Sequence, residues 1–286
     1  MEDVKVNLVK GFSNNKDGGN PAGVVLSQDI STEEMQHVAA EIDFSVTAFV
    51  EKENRNAFSV RFFTPTEEDE VCGHGTIAVF HLLSEKGMLK YKSGKATATQ
   101  ETKAGKLEIE CYRDGKVVME QKKPRFLEHK EDSTVIAKLL GIESDNILNY
   151  PIQIISTGKP KMIVPVDSLE TLLNVEPDYE GIVEMCERTG AKGIYPFTFD
   201  TREDGDVHAR QFNPLQGIYE DPLTGTAAGP LGVYLKNHSL TEKDELVVEQ
   251  GYSMEKPGKI YVDISSKCPK VGGHATIYGE KEVELD

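Results

Sequence analysis

The chain has 286 residues, a formal net charge of −16 and a hydrophobic fraction of 38%. The negative charge repels phosphate backbones, so we expect no nucleic-acid partner. No apolar run reaches the roughly 18 residues of a membrane-spanning helix, so we expect no membrane partner either. The first residues lack the basic and apolar segments of a secretory signal, and the four cysteines are widely separated. These features predict a cytoplasmic protein without a disulfide framework.

Metal sites and nucleotide cofactors leave patterns that this sequence lacks. The four cysteines and seven histidines do not cluster at the spacings of a metal site. No glycine-rich phosphate loop is present. We therefore expect neither a metal nor an organic cofactor.

The chain begins with short predicted strands and one surface helix. Residues 4–9 alternate apolar and polar side chains, and 24–26 form a short apolar run. Residues 31–34 (Ser-Thr-Glu-Glu) form a capping box, after which apolar side chains recur at helical spacing. Two further strands are predicted at 47–50 and 60–63.

Two segments, 77–83 and 227–235, are apolar on almost every side. A helix of this kind must be buried all round. In a chain rich in short strands, a curled sheet that encloses the helix is one solution. Further helices are predicted at 133–140 and 179–189, and 121–130 is the best linker candidate. Strands are predicted at 107–111, 117–120, 152–156, 162–166, 194–199, 207–211, 245–250, 259–264 and 276–283.

The two halves of the chain carry related sequence. Four features recur in the same order at offsets of 139 to 152 residues, which argues for an internal duplication. The prediction is an α+β protein with two pseudo-repeated domains, each a curled sheet or barrel around a central apolar helix. The domains are predicted at 1–124 and 125–286, and the final strand either stays with the second or packs back on the first. The recurring features are Gly73 with Gly225, Arg61 with Arg210, Phe49 with Phe199, and Pro21 with Pro160.

The loops before the two apolar helices carry the candidate chemistry. Cys72 and His74 lie at the start of the first helix, where Thr76 is expected to act as its cap, and Asp221 precedes the second. For Cys72 or His74 alone, a buried cysteine or a loop histidine near an ordinary turn is the simpler interpretation. The related second loop changes this assessment, because two helix N-termini that face one cleft would bind a small anion such as a carboxylate.

Such a site also suits proton transfer at the carbon next to that carboxylate. Backbone N–H groups of Gly73, Gly75, Thr76, Gly225 and Thr226 would stabilise the enolate that forms. The candidate proton carriers are His74, Asp221 and Cys72. We expect burial to raise the pKa of a carboxyl group there, and a helix N-terminus to lower that of a thiol. A racemase with two cysteines is disfavoured, because Thr224 stands at the counterpart of Cys72, unless Asp221 takes that role.

Several motifs together resemble the phenazine-biosynthesis isomerase (PhzF-like) family, a relative of diaminopimelate epimerase and proline racemase. The resemblance implies a diaminopimelate-epimerase-like fold, an active site between the domains, no cofactor and a homodimer. It also implies isomerisation of a dihydro-hydroxyanthranilate by proton shuttling, with Asn20, Gly73, His74, Asp221, Gly225 and Thr226 at the site. The motifs are Gly19-Asn20-Pro21-Ala22-Gly23, Cys72-Gly73-His74-Gly75-Thr76, Ser156-Thr157-Gly158-x-Pro160, Glu220-Asp221-Pro222-Leu223-Thr224-Gly225-Thr226, Glu249-Gln250-Gly251 and Val271-Gly272-Gly273.

One position departs from the family pattern. The family commonly carries a catalytic Glu in a Ser-Glu-Thr-x-Phe segment, and Val46 holds that place here, between Ser45 and Thr47. Valine carries no proton. The first hypothesis is therefore an isomerase or epimerase that uses His74, Asp221 or Cys72, with Ser45 and Thr47 hydrogen-bonded to a small carboxylate substrate. The alternative is a protein that binds a small acid without turnover, and a structural protein with an empty cleft is a third reading.

Overall fold

A computed structural model describes residues 3–13, 17–26 and 30–285. The chain forms two compact units. Unit 1 comprises Met1–Glu120 and Gly272–Asp286, and unit 2 comprises Gln121–Val271. In the described part of the chain, no helix is long and apolar enough to cross a membrane.

In its described residues, unit 1 is a curled mixed sheet with two α-helices, α1 (Thr32–Ile42) and α2 (Gly73–Glu85). The strands are β1 (Val4–Gly11), β2 (Asn20–Val25), β3 (Thr47–Asn54), β4 (Ala57–Phe63), β5 (Glu68–Asp69), β6 (Lys95–Thr102), β7 (Gly105–Tyr112), β8 (Val117–Glu120) and β19 (Ala275–Val283). They are hydrogen-bonded in the order β19-β1-β2-β3-β4-β6-β7-β8, and β5 pairs with β4.

Unit 2 combines a second mixed sheet with four helices. The helices are α3 (Ser133–Leu140), α4 (Leu169–Leu173), α5 (Tyr179–Thr189) and α6 (Gly225–Asn237). The strands are β9 (Arg125–Leu127), β10 (Gln153–Ser156), β11 (Pro160–Pro165), β12 (Ile194–Thr198), β13 (Val207–Ala209), β14 (Gln211–Asn213), β15 (Ile218–Asp221), β16 (Glu245–Gln250) and β17 (Gly258–Asp263). The short strand β18 (Lys270–Gly273) follows.

The strand pairings confirm the predicted duplication. In unit 1, β1-β2-β3-β4-β6-β7 pair as antiparallel, parallel, antiparallel, parallel and antiparallel neighbours. In unit 2, β10-β11-β12-β13-β16-β17 repeat the same five relationships in the same order. Along the chain, the apolar helix of each unit, α2 or α6, follows the fourth strand of this series and precedes the fifth. The α+β fold of two repeated units is thus confirmed.

Both apolar helices are enclosed by their own unit. Ten of the 13 residues of α2 are buried, and the helix contacts β1, β2, β3, β7, β8 and β19. Nine of the 13 residues of α6 are buried, and it contacts β10, β11 and β17. Neither helix has a polar face in the sequence, which predicted that both would be buried. The structure agrees, because a sheet covers each helix on several sides.

Local signals account for most helix ends. Ser31 caps α1, and its hydroxyl and the Glu34 side chain form the predicted capping box. Gly141 and Gly190 end α3 and α5 in the left-handed conformation, which glycine adopts without steric cost. The expected cap of α2 is wrong, because Cys72 is the N-cap and Thr76 lies inside the helix.

The stretch 121–130 is more than a linker. Gln121 is buried in unit 2, and Arg125–Leu127 form strand β9, which pairs with β10. The stretch contains lysine, arginine and proline and few apolar side chains, so its sequence did not predict a strand. None of the four cysteines, all of which lie in the described part of the chain, forms a disulfide.

Candidate active site

The histidine at the start of α2 is held between two other predicted site residues. The Sγ atom of Cys72 lies 3.3 Å from Nδ1 of His74, and Oγ of Ser45 lies 3.3 Å from Nε2. His74 is 7% exposed, so its ring is fixed by packing as well as by these contacts. The three side chains form a continuous hydrogen-bonded path.

The helix N-terminus beside this path has no side-chain cap. Cys72 has extended backbone dihedrals, and its side chain does not cap α2. The first turn contains no acidic residue. Because the first N–H groups of a helix have no intrahelical partner, the end of α2 attracts an anion. His74 therefore lies where a bound carboxylate would be favoured.

Glycines allow the surrounding segments to approach this turn. A Cβ atom on Gly11 would lie 2.8 Å from the carbonyl oxygen of His74. Asn20, which is 1% exposed, pairs with Gly11 across the β1–β2 register. A Cβ on Gly75 would lie 2.9 Å from Phe62 and 3.2 Å from Val46. The structure thus brings Asn20 and residues 45–46 to the first turn of α2.

Val46 therefore packs against the helix end that carries His74. Its side chain is 1% exposed and contacts the glycine at the third helical position. A glutamate at this position would place a carboxyl group beside the first turn of α2. The departure from the family pattern is consequently a change inside the candidate site.

Two predicted site threonines are fully buried within unit 1. The Oγ1 atom of Thr76 accepts a hydrogen bond of 3.1 Å from Nε2 of Gln100. Oγ1 of Thr47 lies 2.9 Å from where a Cβ on Gly23 would stand. It has no hydrogen-bond partner among the described residues. Neither hydroxyl forms a hydrogen bond with His74, Cys72 or Ser45.

The second loop is held by a buried polar network in unit 2. Oγ1 of Thr224 donates to Oδ2 of Asp221 at 2.5 Å. Nε2 of Gln250 donates to the carbonyl oxygen of Asp221 at 2.7 Å, and its Oε1 accepts from Thr224 N at 3.2 Å. The hydroxyl of Tyr195 donates to the same Oε1 at 2.9 Å. Asp221 is therefore fixed through both its side chain and its backbone.

Gly225 and Thr226 begin α6, and a second buried amide anchors them. Nε2 of Gln121 donates to the carbonyl oxygen of Gly225 at 2.9 Å, while Oγ1 of Thr157 donates to Oε1 of Gln121 at 2.5 Å. Like α2, α6 has no side-chain cap and no acidic residue in its first turn. This N-terminus is therefore also suited to an anion.

Sequence reasoning assigned no role to Gln121, Thr157, Tyr195 or Gln250. Thr157 and Gln250 do lie in the motifs that resemble the family, but their partners are remote in the sequence. A buried glutamine is unusual enough to indicate a structural role once its burial is known. Burial of an isolated glutamine could not be inferred from the local pattern.

A lysine lies deep in unit 2, near the same loop. Lys161 is 1% exposed, and its Nζ donates to the carbonyl oxygen of Lys192 at 2.6 Å. Burial, reinforced by the charge of Lys159 and opposed by Asp221, lowers the pKa of Lys161 to about 7. The same burial raises the pKa of the Tyr195 hydroxyl, so Tyr195 serves as a hydrogen-bond donor.

Comparison with known proteins settles the family. Residues 9–281 match the model of the PhzC-PhzF family, described as phenazine biosynthesis-like protein. The chain belongs to this family. It is 37% identical to an uncharacterized isomerase of Bacillus subtilis, YfhB, over 97% of this chain and 94% of that protein. It is 32% identical to the uncharacterized isomerase YddE of Escherichia coli, over 90% of this chain and 89% of that protein.

Solved structures agree with this assignment. A PhzF-family phenazine biosynthesis protein of Bacillus anthracis is 33% identical, covers the whole of both chains and superimposes with a TM-score of 0.90. A hydroxyproline epimerase of Agrobacterium vitis, solved with bound trans-4-OH-L-proline, is 13% identical, covers 99% of this chain and 93% of its own, and has a TM-score of 0.68. At this identity the second likeness concerns the fold alone. This PhzF-family chain thus has the fold that its sequence predicted.

Proposed function

We propose that this PhzF-family protein is a cofactor-independent isomerase or epimerase that moves a proton on a small carboxylate-bearing substrate. The observation that carries the proposal is the Cys72–His74–Ser45 path at the uncapped N-terminus of α2. A general acid or base must lie within hydrogen-bond reach of the proton that it transfers, and Cys72 and Ser45 place hydrogen-bonding groups at the two nitrogens of this ring.

In this proposal each group has a defined task. The imidazole of His74 removes a proton from the carbon next to the substrate carboxylate, and the electron pair moves into the enolate. Backbone N–H groups at the start of α2 stabilise the developing negative charge. The proton then returns to the other face or to another carbon of the substrate. Cys72 and Ser45 hold the ring and exchange protons with it.

Asp221 is the second proposed proton carrier. Its carboxylate accepts a hydrogen bond from Thr224 directly before the uncapped N-terminus of α6. That both loops serve one substrate is a prediction from the sequence, and so are the homodimer and the cytoplasmic location. None of these is needed for the proton path around His74.

The test is hydrogen exchange at carbon. Pooled small carboxylic acids are incubated with the protein in heavy water, and mass spectrometry detects deuterium that becomes bound to carbon. We expect one class of acid to incorporate deuterium, with a loss of about 100-fold or more in rate for His74→Ala. His37→Ala is the matched control, since His37 lies in α1 and contacts the carbonyl oxygen of Glu284. No exchange with any acid, or unchanged exchange in His74→Ala, would rule out the proposal.

A second candidate function is binding of a small acid without turnover. Val46 favours it, because this buried apolar side chain occupies the position where the family commonly has its catalytic Glu. Here a carboxylate would raise the melting temperature without deuterium exchange. Val46→Glu would then introduce exchange. Exchange by the wild-type protein contradicts this candidate.

A further inference from the structure

A groove in unit 2 lies at the C-terminal end of α6. Three segments line it: the end of α6 with Val233, the stretch from Lys123 to Phe126, and the loop after β17 with Ile264 and Pro269. Its volume is about 450 Å³. That size is within the range of pockets that hold small organic molecules.

The walls of this groove are largely apolar. Ile264 and Pro269 are buried beneath it, and Val233 is half-buried. The ring of Phe126 is 47% exposed, although aromatic side chains of this size are usually covered. An exposed aromatic ring above an apolar floor favours a flat apolar ligand, because stacking removes both surfaces from water.

The charged residues of the groove are all cations. Lys123, Lys236 and Lys267 line it, and no acidic residue does so among the described residues. Lys236 is already paired with Asp244. Lys123 and Lys267 make no ion pair within the described part of the chain. In a chain with a net charge of −16, two unpaired cations beside an exposed ring select for a negative group.

We infer that this groove is a binding site for a small aromatic carboxylate. The aromatic body stacks on Phe126 above Val233 and Ile264, while the carboxylate lies between the ammonium groups of Lys123 and Lys267. The two parts of the ligand thus match the two kinds of surface in the groove. This inference does not depend on the proposed proton transfer.

The groove is distinct from the loop that precedes α6. Val233 and Asn237 follow Gly225 by eight and twelve residues along one helix. At a rise of 1.5 Å per residue this separation is about 12–18 Å along the axis. A ligand of naphthalene size in the groove therefore does not reach Asp221 or the N-terminus of α6.

The test uses 2-naphthoate, with uncharged 2-naphthamide as the matched ligand, in calorimetric titrations of the full chain. We expect naphthoate to bind at least about tenfold more tightly than the amide. The double variant K123E/K267E should lose at least about tenfold in naphthoate affinity, and F126A should weaken both ligands. K130E/K138E, which changes the charge equally at two exposed lysines outside the groove, should bind as the wild type does.

A second pair of variants separates the groove from the proton-transfer site. K123M/K267M removes the two charges without reversing them, so it addresses any folding defect of the first double variant. H74A and D221N should retain naphthoate binding. Equal affinity for naphthoate and the amide would overturn the inference. So would binding that survives in K123M/K267M, or binding that is lost in D221N alone.

Discussion

Arg61 and Glu68 form a two-pronged ion pair at the strand that leads into α2. Nε of Arg61 lies 2.9 Å from Oε1 of Glu68, and Nη2 lies 2.8 Å from Oε2. Arg210 and Glu220 form the same pair before α6, with both distances at 2.8 Å. Both copies of the duplicated sequence therefore keep an arginine–glutamate ion pair in the segment that precedes the apolar helix, and each of these helices begins at a glycine.

The first prediction concerns the acid stability that the Arg61–Glu68 pair provides. Hydrogen bonds from Arg61, reinforced by Lys103 and opposed by burial, lower the pKa of Glu68 to about 2. The stability that this ion pair contributes is fully present above about pH 4.5, which is the pKa of the glutamate in the unfolded chain. It is lost as the pH falls through about 2, the pKa of Glu68 in the folded protein. Since Arg61 remains one-third exposed, we expect Glu68→Gln to cost only about 1 kcal/mol at pH 7.

Urea unfolding of Glu68→Gln and wild type at pH 7 and pH 3.5 measures this effect. The difference in free energy of unfolding should be smaller at pH 3.5. Glu101→Gln is the control, because Glu101 is 55% exposed in its pair with Lys106. A difference between wild type and Glu68→Gln that is equal at both pH values would contradict the assignment.

The sequence predicted the parts of the fold that rest on strong local patterns. Apolar residues on every side of α2 and α6 required burial, and the structure encloses both helices. Strand β6, in contrast, was not predicted. Its buried positions are Ala96, Ala98 and Gln100, which are too small or too polar to give a clear apolar alternation.

The candidate site was predictable only in part, for a similar reason. Cys72 and His74 are two residues apart and next to glycine, and together with the related loop before α6 they predicted a functional turn. The supports of the second loop come from far along the chain: Oε1 of Gln250 accepts hydrogen bonds from Thr224 N and from the hydroxyl of Tyr195, and no local pattern encodes either bond. Tertiary packing decides which polar side chains meet.

A second prediction tests the contact between Gly75 and Val46. Gly75→Ala would normally stabilise a helix by up to about 1 kcal/mol. Here the new Cβ would lie 2.9 Å from Phe62 and 3.2 Å from Val46, so we expect a loss of about 1–3 kcal/mol. Because Phe62 is the nearer neighbour, Val46→Ala in the same chain should recover only part of that loss. Thermal unfolding of the two single variants and the double variant measures the coupling, and strict additivity would show that the two residues do not compete for space.

A third prediction concerns the glutamine that holds the second loop. Gln250→Leu leaves the N–H of Thr224 and the hydroxyl of Tyr195 without their shared acceptor. Two buried donors without partners should cost about 2–5 kcal/mol in free energy of unfolding. Tyr195→Phe removes one donor but leaves no buried polar group without a partner, because Gln250 still accepts from Thr224. We therefore expect this variant to lose only about 1 kcal/mol in free energy of unfolding. Equal losses in the two variants, measured by urea unfolding, would argue against a network centred on Gln250.

The last prediction is that replacing a buried cation stabilises this protein. Burial lowers the pKa of Lys161 to about 7, whereas its value in the unfolded chain is 10.5. Between these values the unfolded chain binds more protons, so the wild-type free energy of unfolding should rise with pH from about 7 to 10.5. Below pH 7 the full cost of the buried charge is present.

Lys161→Met removes that cost but leaves the carbonyl oxygen of Lys192 without its donor. We therefore expect a net gain of about 1–3 kcal/mol at pH 6, and a smaller gain at pH 9.5. Lys192→Met is the control, because the side chain of Lys192 is exposed and only its backbone contacts Lys161. Urea unfolding at the two pH values checks both variants. A gain from Lys161→Met that does not change with pH would show that Lys161 is not a titrating charge in the native protein.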